Sequence, residues 1–306
     1  MSFLFLMLSA LFFFDLCRLL LFLVDKVSKK RISEYLPSTR TVFISACTLS
    51  IGILIYGSYE ASNIQVEHIT VSSSKLPAGS KGIRIAQISD LHLGLIIRGS
   101  RLDTVLSRVK EAKADLIVST GDLVDGQMNG LNGLAEKFHA LNPKYGKFAV
   151  TGNHEYYAGL NQALEFTRRA GFTMLRGRTT DIAEFLTLAG VDDSTGRQFN
   201  LFKGSTEDLL LRHTDQSKFI LLLKHRPAIE PLAINLFDLQ LSGHTHKGQI
   251  FPFSLITWFH YGNDSGYMKI TENSARYISR GAGTWGPPIR FLSPPEITII
   301  DLVPKQ

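Results

Sequence analysis

The sequence predicts an α/β domain standing behind two membrane-spanning helices, and three observations carry that expectation. Two long apolar runs fall within the first sixty positions, whereas the remainder reads as an ordinary soluble domain. From Ile83 onward, short β-rich runs alternate with helical patterns. Those β-rich runs are followed by Asp, Asn or His. With 306 residues, 44% of them hydrophobic, the chain is long enough for one large core or for one domain plus an anchor.

The first apolar run is FLFLMLSALFFFDLCRLLLFLV, Phe3 to Val24, and the second is TVFISACTLSIGILIYGSY, Thr41 to Tyr59. Each is long enough to cross a hydrocarbon core of roughly 30 Å as a helix. Asp15 and Arg18 interrupt the first run, but a spacing of three residues puts them on one helix face, where they neutralise each other. A cleaved signal peptide fits poorly, because no basic residue precedes the first run and a second run follows it. Cys17 and Cys47 both lie inside the predicted helices, so neither a disulfide framework nor a thiolate metal site is expected.

Between the runs, DKVSKKRISEYLPSTR carries five basic residues against two acidic ones, half of the net charge of +6. Such a short basic loop is expected on the cytoplasmic side, which places the large domain on the extracytoplasmic face of the cell membrane. Because the charge is concentrated there, the expected partner is an acidic lipid headgroup rather than nucleic acid. The Ser/Pro/Gly stretch from Ser72 to Gly82 reads as linker. The expected division is therefore 1–60 for the anchor, 61–82 for the linker and 83–306 for the α/β domain.

Within that domain, Ile83 to Ser89, Asp115 to Thr120 and Lys147 to Thr151 read as strands, with later ones near Phe185, Phe219 and Phe237. Ser100 to Lys113 reads as an amphipathic helix with Leu102, Val105, Leu106 and Val109 on one face. DLH, GDLVDG, GNHE, KHRP and GHTH each follow one of these strands, and five of the nine histidines sit in them. In open α/β sheets, sites form beyond the carboxyl ends of strands.

Taken singly, each motif has a plain explanation: Asp90 as a turn cap, Asp122 as a strand terminator, His225 as a satisfied core histidine. Their joint recurrence favours a site. Oxygen and imidazole donors without cysteine suit divalent metals such as manganese, iron or zinc. Gly121, Gly152 and Gly243 allow sharp turns at strand ends.

Asp90-X-His92, Gly121-Asp122, Gly152-Asn153-His154-Glu155, His225 and Gly243-His244-Thr245-His246, in this order, resemble the calcineurin-like metallophosphoesterase superfamily. The ending GAGTWGPPIRFLSPPEITII and the N-terminal helices are similar to its membrane-associated bacterial branch of YkuE- and YaeI-type phosphodiesterases. The resemblance implies a metallophosphoesterase-type β-sandwich flanked by helices, holding two divalent ions. It implies Asp90, His92 and His246 at the first ion, Asn153, His225 and His244 at the second, and Asp122 bridging both. Successive alternate residues of a strand face one side, but in a turn His244 and His246 can address different ions.

The implied reaction is hydrolysis of a phosphodiester or phosphomonoester by a metal-bridging hydroxide. His154, next to a ligand position, would stabilise phosphate charge or protonate the leaving group. Arg98, Arg226 and Arg290 are weaker candidates for substrate contact, each equally explained as surface charge; Lys247 is either a rim charge or a phosphate contact. Thr284 to Arg290, TWGPPIR, shapes either a substrate pocket or a rigid turn. Two alternatives stand beside the phosphoesterase: a pyrophosphohydrolase of a lipid-linked nucleotide sugar, which the outward-facing domain disfavours, and a catalytically inactive binding scaffold, which the complete set of ligand positions disfavours.

Overall fold

The computed structural model describes residues 2–28 and 36–305. Lys29, Lys30, Arg31 and Glu34 of the basic loop lie outside the described residues. The two apolar runs form α1 (Ser2–Ser28) and α2 (Thr39–Ser62), both long and apolar enough to cross a membrane. Arg18 pairs with Asp15 at 3.7 Å and donates to the Pro37 carbonyl at 3.0 Å. At the other end Cys47 Sγ lies 3.8 Å from Met7 Sδ, so the helices run side by side in opposite directions.

The first half of the domain comprises β1 (Gln65–Ser73), β2 (Ile83–Ile88), α3 (Gly99–Glu111), β3 (Leu116–Ser119), α4 (Leu134–His139) and β4 (Lys147–Ala149). Then come α5 (Asn153–Tyr157), α6 (Leu160–Arg169), β5 (Thr173–Met174), β6 (Arg178–Ala183) and β7 (Leu186–Gly190). The remainder is α7 (Thr195–Gln198), α8 (Glu207–Leu211), β8 (Phe219–Leu223), β9 (Leu239–Ser242), α9 (Phe253–Tyr261), β10 (Gly266–Lys269), β11 (Ala275–Ile278) and β12 (Glu296–Pro304).

The strands form two six-stranded sheets, in the orders β1-β12-β2-β3-β4-β5 and β10-β11-β9-β8-β7-β6. The central pairings of each are parallel. Period-two alternation splits each strand between two cores. Ile83 and Ile85 of β2 face Leu221, Leu223 and Leu241 of the other sheet, whereas Ala86 and Ile88 pack with Leu102, Val105 and Val109 of α3. Being apolar on both faces is what makes FILLL and LIVS continuous hydrophobic runs. The parallel strands thereby bring their carboxyl ends to one edge of the sandwich.

The expected linker at 61–82 needs correction. Gln65–Ser73 is an edge strand, paired in parallel with β12 over nine residues from Gln65 against Glu296 to Ser73 against Pro304. Ile69 and Val71 pack against the inter-sheet core, Val66 packs on the α3 side, and Ile64 and Leu76 are themselves buried. Turn-forming composition is confined to residues 72–82, and the partner that turns the preceding alternation into a strand lies at the far end of the chain.

The C-terminal end of α2 is built into the domain. Glu60, only 6% exposed, accepts the backbone N–H groups of Leu292 and Ser293. Arg101 of α3 donates to the Ala61 carbonyl and, through two nitrogens, to the Ala282 carbonyl at 2.8 and 3.0 Å. The Gly57 carbonyl receives Arg290 N–H at 3.0 Å, and Tyr56 meets Phe291 edge-on at 5.8 Å. Glu60→Ala strands the buried Ser293 N–H and frees the part-buried Leu292 N–H, and is expected to lower stability by roughly 1–3 kcal/mol. Thermal unfolding of the nanodisc-held protein measures this; an unchanged midpoint would rule out the docking.

Candidate metal centre

The five motifs converge on the sandwich edge. Asp90 and His92 follow β2, Asp122 follows β3, Asn153 opens α5 after β4, His225 follows β8, and His244 and His246 follow β9. Asp90, His92, Asp122, His244 and His246 adopt left-handed backbone, with φ between 48° and 72°. Such conformations are uncommon for residues with a side chain, though Asp, Asn and His are the least averse, and they concentrate at functional sites. They break strand alternation and let neighbouring motif residues reach one small volume. Gln87 ties the edge together across the sheets, its Nε2 donating to Thr120 Oγ1 and the Ser242 carbonyl, both at 3.0 Å.

The glycines act in two ways. Gly121 has φ +95° and makes the turn expected of it. Gly243 instead permits close approach, since a Cβ there would collide with Ser89 Oγ and Asp90 Oδ2. Gly152 likewise abuts Asp122 Oδ1.

Two groups of donor atoms face each other across Asp122. Asp90, His92 and His246 form one, with His92 Nε2 3.0 Å from His246 Nε2 and His246 Nε2 3.5 Å from Asp90 Oδ1. Asp122, His225 and His244 form the other, and Asn153 joins it with Oδ1 3.1 Å from His225 Nε2. Asp122 Oδ2 lies 3.2 Å from His225 Nε2 and 3.8 Å from His92 Nε2. Every sequence-predicted ligand residue is thus present in one cluster.

Such convergence of buried imidazoles and carboxylates fits divalent cations. His92 Nδ1 is buried without a hydrogen-bond partner. His225 Nδ1 donates to the Thr120 carbonyl at 2.9 Å, which turns the other nitrogen into the cluster. Burial depresses His225, but Asp122, then Asp90 and Asp193, push it up to about 10. Burial, helped by the neighbouring His154 and His225 and opposed by Asp122, pulls His92 down to about 4, and burial with the neighbouring His225 takes His244 to about 3. An ion held at His225 Nε2 would need that nitrogen free of a proton.

His154 stands beside these groups. Its backbone N–H donates to Asp122 Oδ1 at 2.8 Å, and its Nδ1 pairs with Asp125 Oδ1 at 2.8 Å. Burial pulls its pKa down, but Asp125 and Asp122 outweigh that and hold it above the ordinary value; the same hydrogen bond holds Asp125 below its own. His92, Asp125 and His154 also form a third donor group. Asp125 was not singled out from sequence, although it is the second aspartate of GDLVDG. Its role arises only because α5 turns His154 towards it.

Glu155 was likewise missed as a functional position. Its two oxygens accept N–H groups from Asp122, Leu123 and Gly152 at 3.0, 2.8 and 2.6 Å. Burial, then the charge of Asp122, pushes its pKa up to about 7.

The arginines divide. Arg290 is neither a surface charge nor a substrate contact: it is fully buried, donating to the Gly281, Gly283 and Ser293 carbonyls and to His246 Nδ1 at 3.0 Å. Arg226 is half-buried, donating to Asp193 at 2.9 Å and to His244 Nε2 at 3.0 Å. Arg98 stays exposed and bonds the Leu95 carbonyl, away from the cluster. Lys247 does not line the cleft above the cluster, whereas Trp285 to Pro288 do, so the middle of TWGPPIR is a pocket wall.

A family model described as calcineurin-like phosphoesterase matches residues 83–248. A metallophosphoesterase of Aquifex aeolicus is 43% identical over 253 residues, 82% of this chain and 96% of that one. The metallophosphoesterase YkuE of Bacillus subtilis is 33% identical over 259 residues, 81% of this chain and 88% of its own. A Danio rerio transmembrane protein with a metallophosphoesterase domain is 30% identical over 272 residues, 85% of this chain and 62% of that one. The matched region contains every loop that carries a ligand-type residue, and the chain therefore belongs to the calcineurin-like phosphoesterase family of metal-dependent phosphoester hydrolases.

Proposed function

We infer that the protein is a membrane-anchored phosphoesterase that holds two divalent ions and cleaves phosphodiester or phosphomonoester bonds. The observation that carries this reading is the position of Asp122, whose one carboxylate oxygen faces His92 of one donor group and His225 of the other. Asp90, His92 and His246 would hold one ion and Asn153, His225 and His244 the second, with Asp122 shared. Two ions held by these residues would supply Lewis acidity and would make a bound water more acidic.

The chain's own groups do the rest. His154, oriented by Asp125, lies at the cleft floor and gives its proton to the departing oxygen; an orienting carboxylate fixes which ring nitrogen is free to do so. Arg226 and Arg290 brace His244 and His246 from outside the cluster. The catalytic domain is assigned to the extracytoplasmic side, on the strength of the basic residues between the two apolar runs.

Wild-type protein reconstituted with manganese or zinc should contain two ions per chain by elemental analysis. Asp122→Ala should lose more metal than His225→Ala, because it serves both positions; a wild type holding one ion or none would sink the dinuclear assignment.

His154→Ala should retain both ions and lose roughly 10²–10⁴-fold in turnover on alkyl diesters. The loss should be much smaller on nitrophenyl diesters, whose leaving group needs little protonation. Equal loss on both would assign His154 to phosphate binding, and loss of metal would make it a ligand.

For topology, single cysteines at Ser74 and Ser28, in a background with Cys17 and Cys47 replaced by Ala, should differ in sealed right-side-out vesicles. The first should react with an impermeant maleimide and the second should not. The reverse labelling would place the domain in the cytoplasm.

A further inference from the structure

The cleft above the cluster has a volume of about 1370 Å³, beyond the roughly 300–1,000 Å³ of ordinary small-molecule sites. Asp122, His154 and His246 lie at its floor. Its walls are Leu4, Phe5 and Leu8 of α1, Phe253 of α9, and the loop from Trp285 to Pro288. Among the described residues that line it there is no Lys or Arg. Nucleotides and sugar phosphates are recognised through such cations and dense hydrogen bonding; these walls offer hydrocarbon.

The walls are built rather than incidental. Phe5 and Phe253 stack with ring centroids 6.3 Å apart. Gln249, the last residue of SGHTHKGQ, donates to the Trp285 carbonyl at 2.8 Å and accepts Trp285 N–H at 2.7 Å, fixing that wall to the ligand loop. The helix α9, FSLITWFHY, has no buried residue, and Ile256 and Phe259 are 63% and 77% exposed. An exposed apolar helix continuous with a membrane-spanning one is suited to the lipid interface.

We propose that this cleft takes the hydrocarbon part of a lipid phosphoester, drawn from the bilayer between α1 and α9, and sets its phosphorus on the ion-binding floor. This rests on the phosphoesterase reading above and adds the substrate class. In the reaction, water adds its oxygen to phosphorus, the P–O bond to the leaving alcohol breaks, and the alcohol departs with a proton.

The test uses the full chain in phosphatidylcholine nanodiscs with manganese, and compares ethyl with octyl 4-nitrophenyl phosphate. Each buried methylene should raise kcat/KM roughly fourfold, so the octyl ester should exceed the ethyl ester by at least about 100-fold. Trp285→Ser and Phe5→Ser, made separately on different walls and checked for metal content, should each cut that ratio by about tenfold. No chain-length gain would overturn the proposal while leaving the phosphoesterase intact. A gain that survives unchanged in both variants would also overturn it, since partitioning into the disc would then explain the effect. Failure to turn over any nitrophenyl ester would remove the phosphoesterase reading and this one with it.

Discussion

Both oxygens of Glu155 take backbone N–H groups from the loops after β3 and β4, which locks those loops at one spacing. Asp122 sits in the clamped segment with a left-handed backbone, so the residue whose carboxylate lies between the two donor groups is held by Glu155 through its main chain, not through its donor oxygens. His154, one position before Glu155, is carried into register by the same turn. A buried carboxylate that satisfies three otherwise orphaned donors stabilises the loops only while all its bonds are made. The spacing between the two halves of the cluster is thus a backbone property, set before any ion arrives.

Much of this was legible in the sequence because the parallel strands are short, apolar and terminated by polar motifs. LIVS, FILLL and LQLS advertise themselves, and the family pattern supplies the ligand positions. What escaped depended on contacts distant in sequence. β1 alternates like a strand, yet only β12, more than two hundred residues later, gives it a partner. Arg290 looks like surface charge in a string, but three carbonyls and a histidine from separate loops enclose it. Asp125 and Glu155 were in plain view within recognised motifs, and their roles emerged only from the way α5 faces the loop after β3. Nothing local marked the first turns of α1 as a cleft wall, since that requires their meeting with α9.

The two apolar helices and the candidate metal centre are also not separable in the way the sequence division suggested. A hydrogen-bonded path runs from α2 to the ligand loop: Glu60 holds Ser293 N–H, and Ser293 Oγ donates to the His246 carbonyl at 2.6 Å. Arg290 connects the same two regions through Gly57 and His246 Nδ1. Side chains from α1, α2 and the 250–291 region share one small core around Leu6, Ile250 and Ile289. The helices are therefore part of the fold that positions the metal centre.

This union sets how the molecule meets its surroundings. A domain on a loose tether tumbles, and its cleft faces the bilayer only part of the time. Here Glu60, Arg101 and the backbone at Gly57 fix both tilt and azimuth of the domain against its own helices. With those helices in a bilayer, rotational entropy is surrendered during folding rather than at each encounter. For the proposed lipid substrate the search would then be two-dimensional, and turnover would follow its mole fraction in the membrane plane rather than its bulk concentration.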